Sequence, residues 1–292
     1  MRVAIIINPN SGFAKRREAP AVRRQIAERV LSDLGVTADV RVTERRGHAA
    51  DLVRDVVDKG ADVVGAWGGD GTLNEVASAL AFGPVPVAII PSGSGNGLAR
   101  ELGTPIDPAY AIRVAVEGRD RRLDAGDLNG RLFFNVAGIG FDAEVAHRFA
   151  GHARRGFGPY LAIAARHFWS YRPATYTMTV DGRESERCAL MIVVANSRQY
   201  GNGAIIAPAA KPDDGELDLV VVQGRSRVAT LVRVPRLFRG TLESCDAISM
   251  QRVRLLSIAG VREFAVHLDG EPTIVDEPLT IAVRQGAIAV RS

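Results

Sequence analysis

The chain has 292 residues, 47% hydrophobic and 24% charged, a composition that excludes a disordered protein. Its net charge of +4 suits an anionic partner (a nucleotide, a nucleic acid or an acidic membrane surface) without selecting one. The longest apolar runs, Val3–Ile7 and Val85–Ile90, have the length of strands rather than membrane spans, and Cys188 and Cys245 are too few for a disulfide framework or a metal cluster.

Val3–Ile7 reads as a buried strand, standing where a signal peptide would need a basic and then an apolar segment; this predicts a cytoplasmic protein. Pro20 opens a helix whose inner face is expected to be Val22, Ile26, Val30 and Leu34. Val36, Ala38, Val40 and Val42 alternate as a strand, and Ala49, Leu52, Val53, Val56 and Val57 form a helical stripe that Gly60 ends. Ala61–Trp67 is a further buried strand, followed by a glycine loop and a helix with Leu73, Val76, Ala77 and Leu80 on one face. Val85–Ile90 leads into another glycine loop, and Asp107-Pro108 starts a helix that Gly118 stops. This alternation over residues 1–123 predicts an α/β domain with a parallel sheet.

From Arg122 onward short β-rich runs dominate: Leu132–Val136, Tyr176–Val180, Ala189–Ala195, Leu217–Val222, Val253–Ile258, Phe264–Leu268, Leu279–Val283 and Ala287–Val290. Turns at Asp181-Gly182 and Gln285-Gly286 separate some of them, with helical insertions near Asp142–Ala150, Pro159–Trp169 and Val228–Leu237. Residues 124–292 are therefore expected to form an antiparallel β-sandwich domain, with the active site in the cleft between the two.

Gly68-Gly69-Asp70-Gly71-Thr72 is the most informative stretch. Its glycines let the backbone turn sharply and present N–H groups to an anion at the positive end of the following helix. A carboxylate there repels a phosphate unless a metal or hydroxyl intervenes, so Asp70 reads as a phosphoryl-transfer residue; the plainer alternative is a helix N-cap. Pro91-Ser92-Gly93-Ser94-Gly95-Asn96 and Asn8-Pro9-Asn10-Ser11-Gly12 supply two more loops at the same sheet edge, and together the three point to a nucleotide site. Lys211-Pro212-Asp213-Asp214-Gly215-Glu216 is by composition an acidic turn, and with Asp218 it equally offers oxygens to a hard divalent cation. Leu268-Asp269-Gly270-Glu271-Pro272 is by default a turn. His147 and His152, five residues apart, do not share a helical face for a metal and read as surface residues. Arg148, Arg154, Arg155, Arg166 and Arg172 surround Phe149, Phe157, Tyr160, Phe168 and Trp169, either as a solvated helix face or as a basic, aromatic surface suited to headgroups.

These motifs, in this order and together with Asn74-Glu75 and Gly138-Ile139-Gly140-Phe141-Asp142, resemble the diacylglycerol kinase catalytic-domain superfamily, which includes bacterial soluble lipid kinases, sphingosine kinases and ceramide kinases. The resemblance covers nearly the whole chain. It implies a nucleotide-binding α/β domain, a β-sandwich domain, and transfer of a phosphoryl group from ATP, with Mg²⁺, to a lipid hydroxyl. It implies that Gly68, Gly69, Asp70, Gly71, Thr72, Leu73 and Asn74 cradle the ATP phosphates, with Asn8, Thr43, Ser94 and Gly95 joining the nucleotide site. It implies a metal held by the Asp214 side chain and the carbonyls of Lys211 and Glu216, and points to Glu271 as the base that takes the proton from the lipid hydroxyl. Where many bacterial diacylglycerol kinases carry an aspartate, this chain has Gly97, a version closer to sphingosine and ceramide kinases.

The expected activity is thus an ATP-dependent lipid kinase acting on a diacylglycerol, a sphingoid base or a ceramide, as part of phospholipid or related lipid metabolism. An NAD kinase, whose phosphate loop is of the same type, and an inactive nucleotide- or lipid-binding protein are the alternatives. The expected partners are the lipid and an anionic membrane surface met peripherally, not a nucleic acid, and a homodimer is left open.

Overall fold

A computed structural model describes residues 1–12, 19–150, 157–224 and 227–292. It divides into two compact units, Met1–Leu123 with Gly286–Ser292, and Asp124–Gln285.

In the first unit, strands β1 (Arg2–Ile7), β2 (Thr37–Val42), β3 (Val63–Gly68) and β4 (Val87–Pro91) lie parallel in the order β2-β1-β3-β4. They alternate with helices α1 (Pro20–Asp33), α2 (His48–Asp58), α3 (Asp70–Leu80), α4 (Gly97–Glu101) and α5 (Pro108–Glu117). β1 and β3 are buried along almost their whole length, as a sheet covered on both faces requires. The Asp107 side chain caps α5 by accepting from the Tyr110 amide at 3.1 Å, and Pro108 takes the first helical position. α1 departs from expectation. Its buried residues are Arg23, Ala27, Val30 and Leu31, while Val22 is exposed. The helix is rotated because the Arg23 guanidinium takes an inner position and bonds to the loop after β1.

The second unit is antiparallel and β-rich. β5 (Asp120–Leu128), whose first residues belong to the first unit, is followed by β6 (Arg131–Phe133), β7 (Val136–Gly140), helices α6 (Phe141–Ala150) and α7 (Phe157–Phe168), β8 (Ala174–Val180) and β9 (Arg183–Ala195). Then come β10 (Gln199–Gly201), β11 (Ala204–Ile205), β12 (Leu217–Gln223), α8 (Arg227–Arg239), β13 (Ile248–Val253), β14 (Leu255–Ala259), β15 (Phe264–Leu268), β16 (Glu271–Val275) and β17 (Leu279–Arg291). β9 is the organising strand: its first half pairs with β8, and its second half lies between β7 and β12. Period-two alternation divides its surroundings into two cores. Leu217, Leu219 and Val221 of β12 join a core built from strands alone, whereas Val220 and Val222 join one that also holds Phe141, Val145 and Phe168 of the helices.

Three sequence expectations need correction. Leu132–Val136 is not one strand; β6 ends at Phe133, and the amides of Phe134, Asn135 and Val136 turn to a carboxylate instead. Val253–Ile258 straddles β13 and β14, because the Arg254 and Leu255 amides both donate to Asp181. Gln285-Gly286 is not a turn. β17 runs through it, pairing with β14 over Leu279–Ala282 and then in parallel with β4 at Val290 and Arg291. The second unit therefore stops at Gln285 rather than at 292, and Gly286–Ser292 completes the first.

Candidate active site

Loops after β1, β3 and β4 meet at the carboxyl edge of the parallel sheet. Asn8 donates from its side-chain nitrogen to the Thr72 hydroxyl at 2.8 Å, and the Ser11 and Ser92 hydroxyls are 2.7 Å apart. Arg23 anchors the first loop from beneath, donating to the Asn8 and Ser11 carbonyls at 3.0 and 2.8 Å and lying over the Trp67 ring. The second and third loops touch back to back: a Cβ on Gly93 would stand 2.6 Å from the Gly69 Cα. Two of the glycines thus serve loop-to-loop approach, a reason the phosphate reading alone does not supply.

Asp70 ties these loops together. Its carboxylate accepts the Asn96 amide at 2.9 Å and the Gly97 amide at 2.7 Å, capping α4, whose entry residue Asn96 has a positive φ of 50°. It does not cap its own helix; it is the first residue of α3, behind Gly69. Glu75 caps in the same way, accepting the Gly47 and Ala49 amides at 3.0 and 3.3 Å and so fixing the start of α2. The first intrahelical bond of α3 runs from the Leu73 amide to the Gly69 carbonyl, so the amides of Gly71 and Thr72 precede it at the helix's positive end. Leu73 is different, since its amide is engaged in the helix and its side chain lies in the core. Thr43 is buried, with its amide donating to the Ile7 carbonyl at 2.9 Å. Ser94 and Gly95 are half-buried in the third loop, and Asn74 lies on α3, where its carbonyl oxygen accepts from Ser78.

In the second unit Glu271 is exposed at the start of β16, directly after a two-residue turn. Asp269 and Gly270 form that turn with φ of 49° and 85°, as a tight hairpin requires. The buried Asp269 carboxylate accepts the amides of Phe134, Asn135 and Val136 at 2.8–3.0 Å. His267 holds the turn from the other side. Its Nε2 lies 3.1 Å from the buried Asp142 carboxylate, which assigns the proton to Nε2 and leaves Nδ1 to accept the Gly270 amide at 3.4 Å. The Tyr200 hydroxyl also donates to Asp142. Burial first, and the Asp142 charge second, raise the Tyr200 phenol well above its ordinary pKa and keep that donor protonated. Gly138 makes the cluster possible, because a side chain there would overlap both Asp142 and His267. Sequence reading named Asp142 only as part of a motif and passed over His267, Tyr200 and Arg23.

The acidic turn lies between Asp124 and two arginines. The Asp124 carboxylate accepts the Gly215 amide at 2.7 Å, and its own amide donates to the Pro212 carbonyl. Asp214 accepts the Glu216 amide at 3.2 Å and lies 3.7 Å from Arg252, while Glu216 pairs with Arg252 at 3.1 Å and Arg254 at 3.3 Å. Burial pushes the Asp218 carboxyl up to about 6, Asp214 and Glu216 push the same way, and Arg252 opposes them. Among the described residues no group of three or more His, Cys, Asp or Glu is placed to hold a metal ion. The expected set of one carboxylate and the Lys211 and Glu216 carbonyls is of another kind, all hard oxygen, and its chemistry fits Mg²⁺.

The comparisons with known proteins also divide the chain between residues 128 and 135, with the second match running on to residue 292. Residues 2–128 match the diacylglycerol kinase catalytic domain, and residues 135–292 match the YegS C-terminal NAD kinase beta sandwich-like domain. The chain belongs to the diacylglycerol kinase family of lipid kinases. Among its relatives it is 33% identical over 98% of its length to a Pseudomonas aeruginosa protein named "Probable lipid kinase YegS-like", covering 92% of that protein. It is also 33% identical to a Mycobacterium tuberculosis protein named diacylglycerol kinase, over 92% of this chain and 88% of the other. A crystal structure of a diacylglycerol kinase from Bacillus anthracis has the same fold, with a TM-score of 0.75 over 99% of this chain and 96% of that one, at 21% identity.

As a member of this family the chain is a lipid kinase, and kinase membership implies use of ATP. No helix among the described residues is long and apolar enough to cross a membrane. Of the arginine and aromatic group, Arg148 pairs with Glu144 at 2.6 Å and Phe168 is in the core. His152, Arg154, Arg155 and Arg225, and the side chain of Phe157, lie outside the described residues.

Proposed function

We propose that this lipid kinase transfers the γ-phosphoryl group of ATP to the hydroxyl of a long-chain lipid, a diacylglycerol, a sphingoid base or a ceramide. The observation that carries the nucleotide half is the junction of the loops after β1, β3 and β4, with Asp70 fastening the second to the third. Backbone amides at the start of α3 meet the ATP phosphates, and Asn8, Thr43, Ser94 and Gly95 border the same loops. Asp70 keeps the Gly93–Gly97 loop in register with α3 and places a negative charge beside the phosphate path. Glu271 accepts the proton as the lipid hydroxyl attacks; its turn, fixed by Asp269 and His267, suits a carboxylate that must stay in place. Phosphoryl transfer needs positioning and charge neutralisation above all. Asp214 with the Lys211 and Glu216 carbonyls would hold Mg²⁺, which supplies charge neutralisation to the acidic turn.

Diacylglycerol is the acceptor in the name of the Mycobacterium tuberculosis relative, whereas Gly97 favours the sphingosine and ceramide kinase pattern. Incubating the protein with γ-labelled ATP and Mg²⁺ over a panel of diacylglycerol, sphingoid base, ceramide and NAD, with product read by mass spectrometry, tests the reading. One phosphorylated lipid and unmodified NAD are expected. Phosphorylated NAD, or folded protein that labels no lipid in the panel, overturns it.

A further inference from the structure

Helices α7 and α8 each present a set of apolar residues to solvent. On α8 the exposed positions are Val228, Leu231, Val232, Pro235 and Phe238 with Arg236 and Arg239, and the helix has no buried residue at all. The apolar members recur at helical spacing and so form one outward stripe. Val228 is 65% and Val232 70% exposed. On α7 the outward positions include Leu161 and Arg166, and Trp169 just beyond its end is 60% exposed.

The two helices share a base. Tyr160 and Ile163 of α7 and Ala229 and Leu237 of α8 pack against the same core cluster, so each has an inner face already satisfied. Arg227 at the start of α8 donates to the carbonyls of Trp169 and Tyr171, joining the end of α7 to the start of α8. Charge is one-sided. Neither helix contains an aspartate or glutamate, while α8 carries Arg227, Arg233, Arg236 and Arg239. Arg236 pairs with Glu243 beyond the helix, at 3.0 Å.

We propose that the outward faces of α7 and α8 dock on an anionic lipid layer, with the apolar stripe in the boundary between headgroups and acyl chains and the arginines at headgroup phosphates. Apolar side chains flanked by cations, on helices that contain no carboxylate of their own, match such a layer in both polarity and charge. A protein partner of this chain's own kind would bring arginines against arginines. The lipid kinase reading supplies the choice of a lipid layer over other anionic surfaces. Binding is measured without turnover, so its failure and a failure of phosphoryl transfer are separate results.

The test is co-sedimentation with vesicles of phosphatidylcholine alone and of phosphatidylcholine mixed with phosphatidylglycerol, at low and high salt. The parent is expected to bind the mixed vesicles more tightly and to lose binding as salt rises. Two double variants, Val228→Asp with Val232→Asp and Arg236→Glu with Arg239→Glu, are each expected to weaken that binding by about tenfold or more. Their exposed positions leave the melting temperature near that of the parent. Equal binding by parent and variants overturns the proposal, as does a parent that binds neither vesicle. A parent dimer that the Val228→Asp and Val232→Asp variant converts to monomer, with vesicle binding unchanged, assigns the face to a second copy instead.

Discussion

Asp70 has a structural duty beside the chemical one proposed for it. Both of its oxygens accept backbone amides of the neighbouring loop, so replacing one oxygen by an NH₂ group sets a donor against a donor. Asp70→Asn is therefore expected to lower turnover by more than about a hundredfold and to cost roughly 1–3 kcal/mol of stability. Steady-state rates beside a denaturant melt check both, and a folded variant with near-parent turnover refutes the role. His267 makes a sharper case, because its two nitrogens do different things. An asparagine oxygen can stand in for Nδ1 and a glutamine nitrogen for Nε2. If the hold on Gly270 positions Glu271, His267→Asn keeps most of kcat while His267→Gln loses about tenfold, with KM for ATP unchanged in both. Equal losses in the two variants leave His267 a core residue and nothing more.

At the scale of elements, the glycine loops act as one body. A methyl group on Gly93 would stand 2.6 Å from the Gly69 Cα and 2.8 Å from the Asn96 side chain, with backbone on one side that cannot swing away. Gly93→Ala is expected to spread the second and third loops and raise the dissociation constant for ATP by about tenfold while the rest of the first unit keeps its stability. ATP titration against thermal unfolding reads this directly. The acidic turn gives a parallel test. Mg²⁺ should raise the melting temperature of the parent and not of Asp214→Ala, and superimposable titrations would make it a turn held by Asp124 and the arginines without a metal. The α/β alternation and all three loops were legible because their strand-to-helix junctions announce themselves with glycine and small polar residues. What joins the loops was not legible. Arg23 stands in a helix whose apolar spacing pointed to another face, and its burial rests on partners brought close by folding: the Asn8 and Ser11 carbonyls, the Ser11 hydroxyl and the Trp67 ring. His267 and Tyr200 were missed for a like reason, since they lie far apart in sequence and meet only in the fold, through Asp142 and an edge-on ring contact.

At the scale of the whole molecule, the chain enters the second unit at Asp124 and returns to the first at Gly286. No local pattern revealed the return, because the apolar run Ala287–Val290 suits either sheet and its partner is fixed by topology. The contacts that receive it are extensive. Val290 and Arg291 pair with β4, the Phe82 amide donates to the Ala287 carbonyl, and Ser292 and Arg119 exchange backbone bonds at 3.1 Å. Arg291 grips Asp120 through two nitrogens, at 2.6 and 2.8 Å, and that pairing holds the Asp120 carboxyl below its usual pKa. Ile288 and Val290 are buried, and each such side chain contributes about 1.5–3 kcal/mol. Their loss together with the β4 edge removes a large share of the roughly 5–15 kcal/mol that holds a domain folded. A chain ending at Gln285 is therefore expected to lose the first unit while retaining the second, whose own strands end with Leu279–Ala282 against β14. Limited proteolysis followed by mass spectrometry distinguishes the cases. Early cleavage within residues 20–117, with fragments of 124–285 surviving, supports the account, and a truncated chain as resistant as the parent throughout both units rules it out.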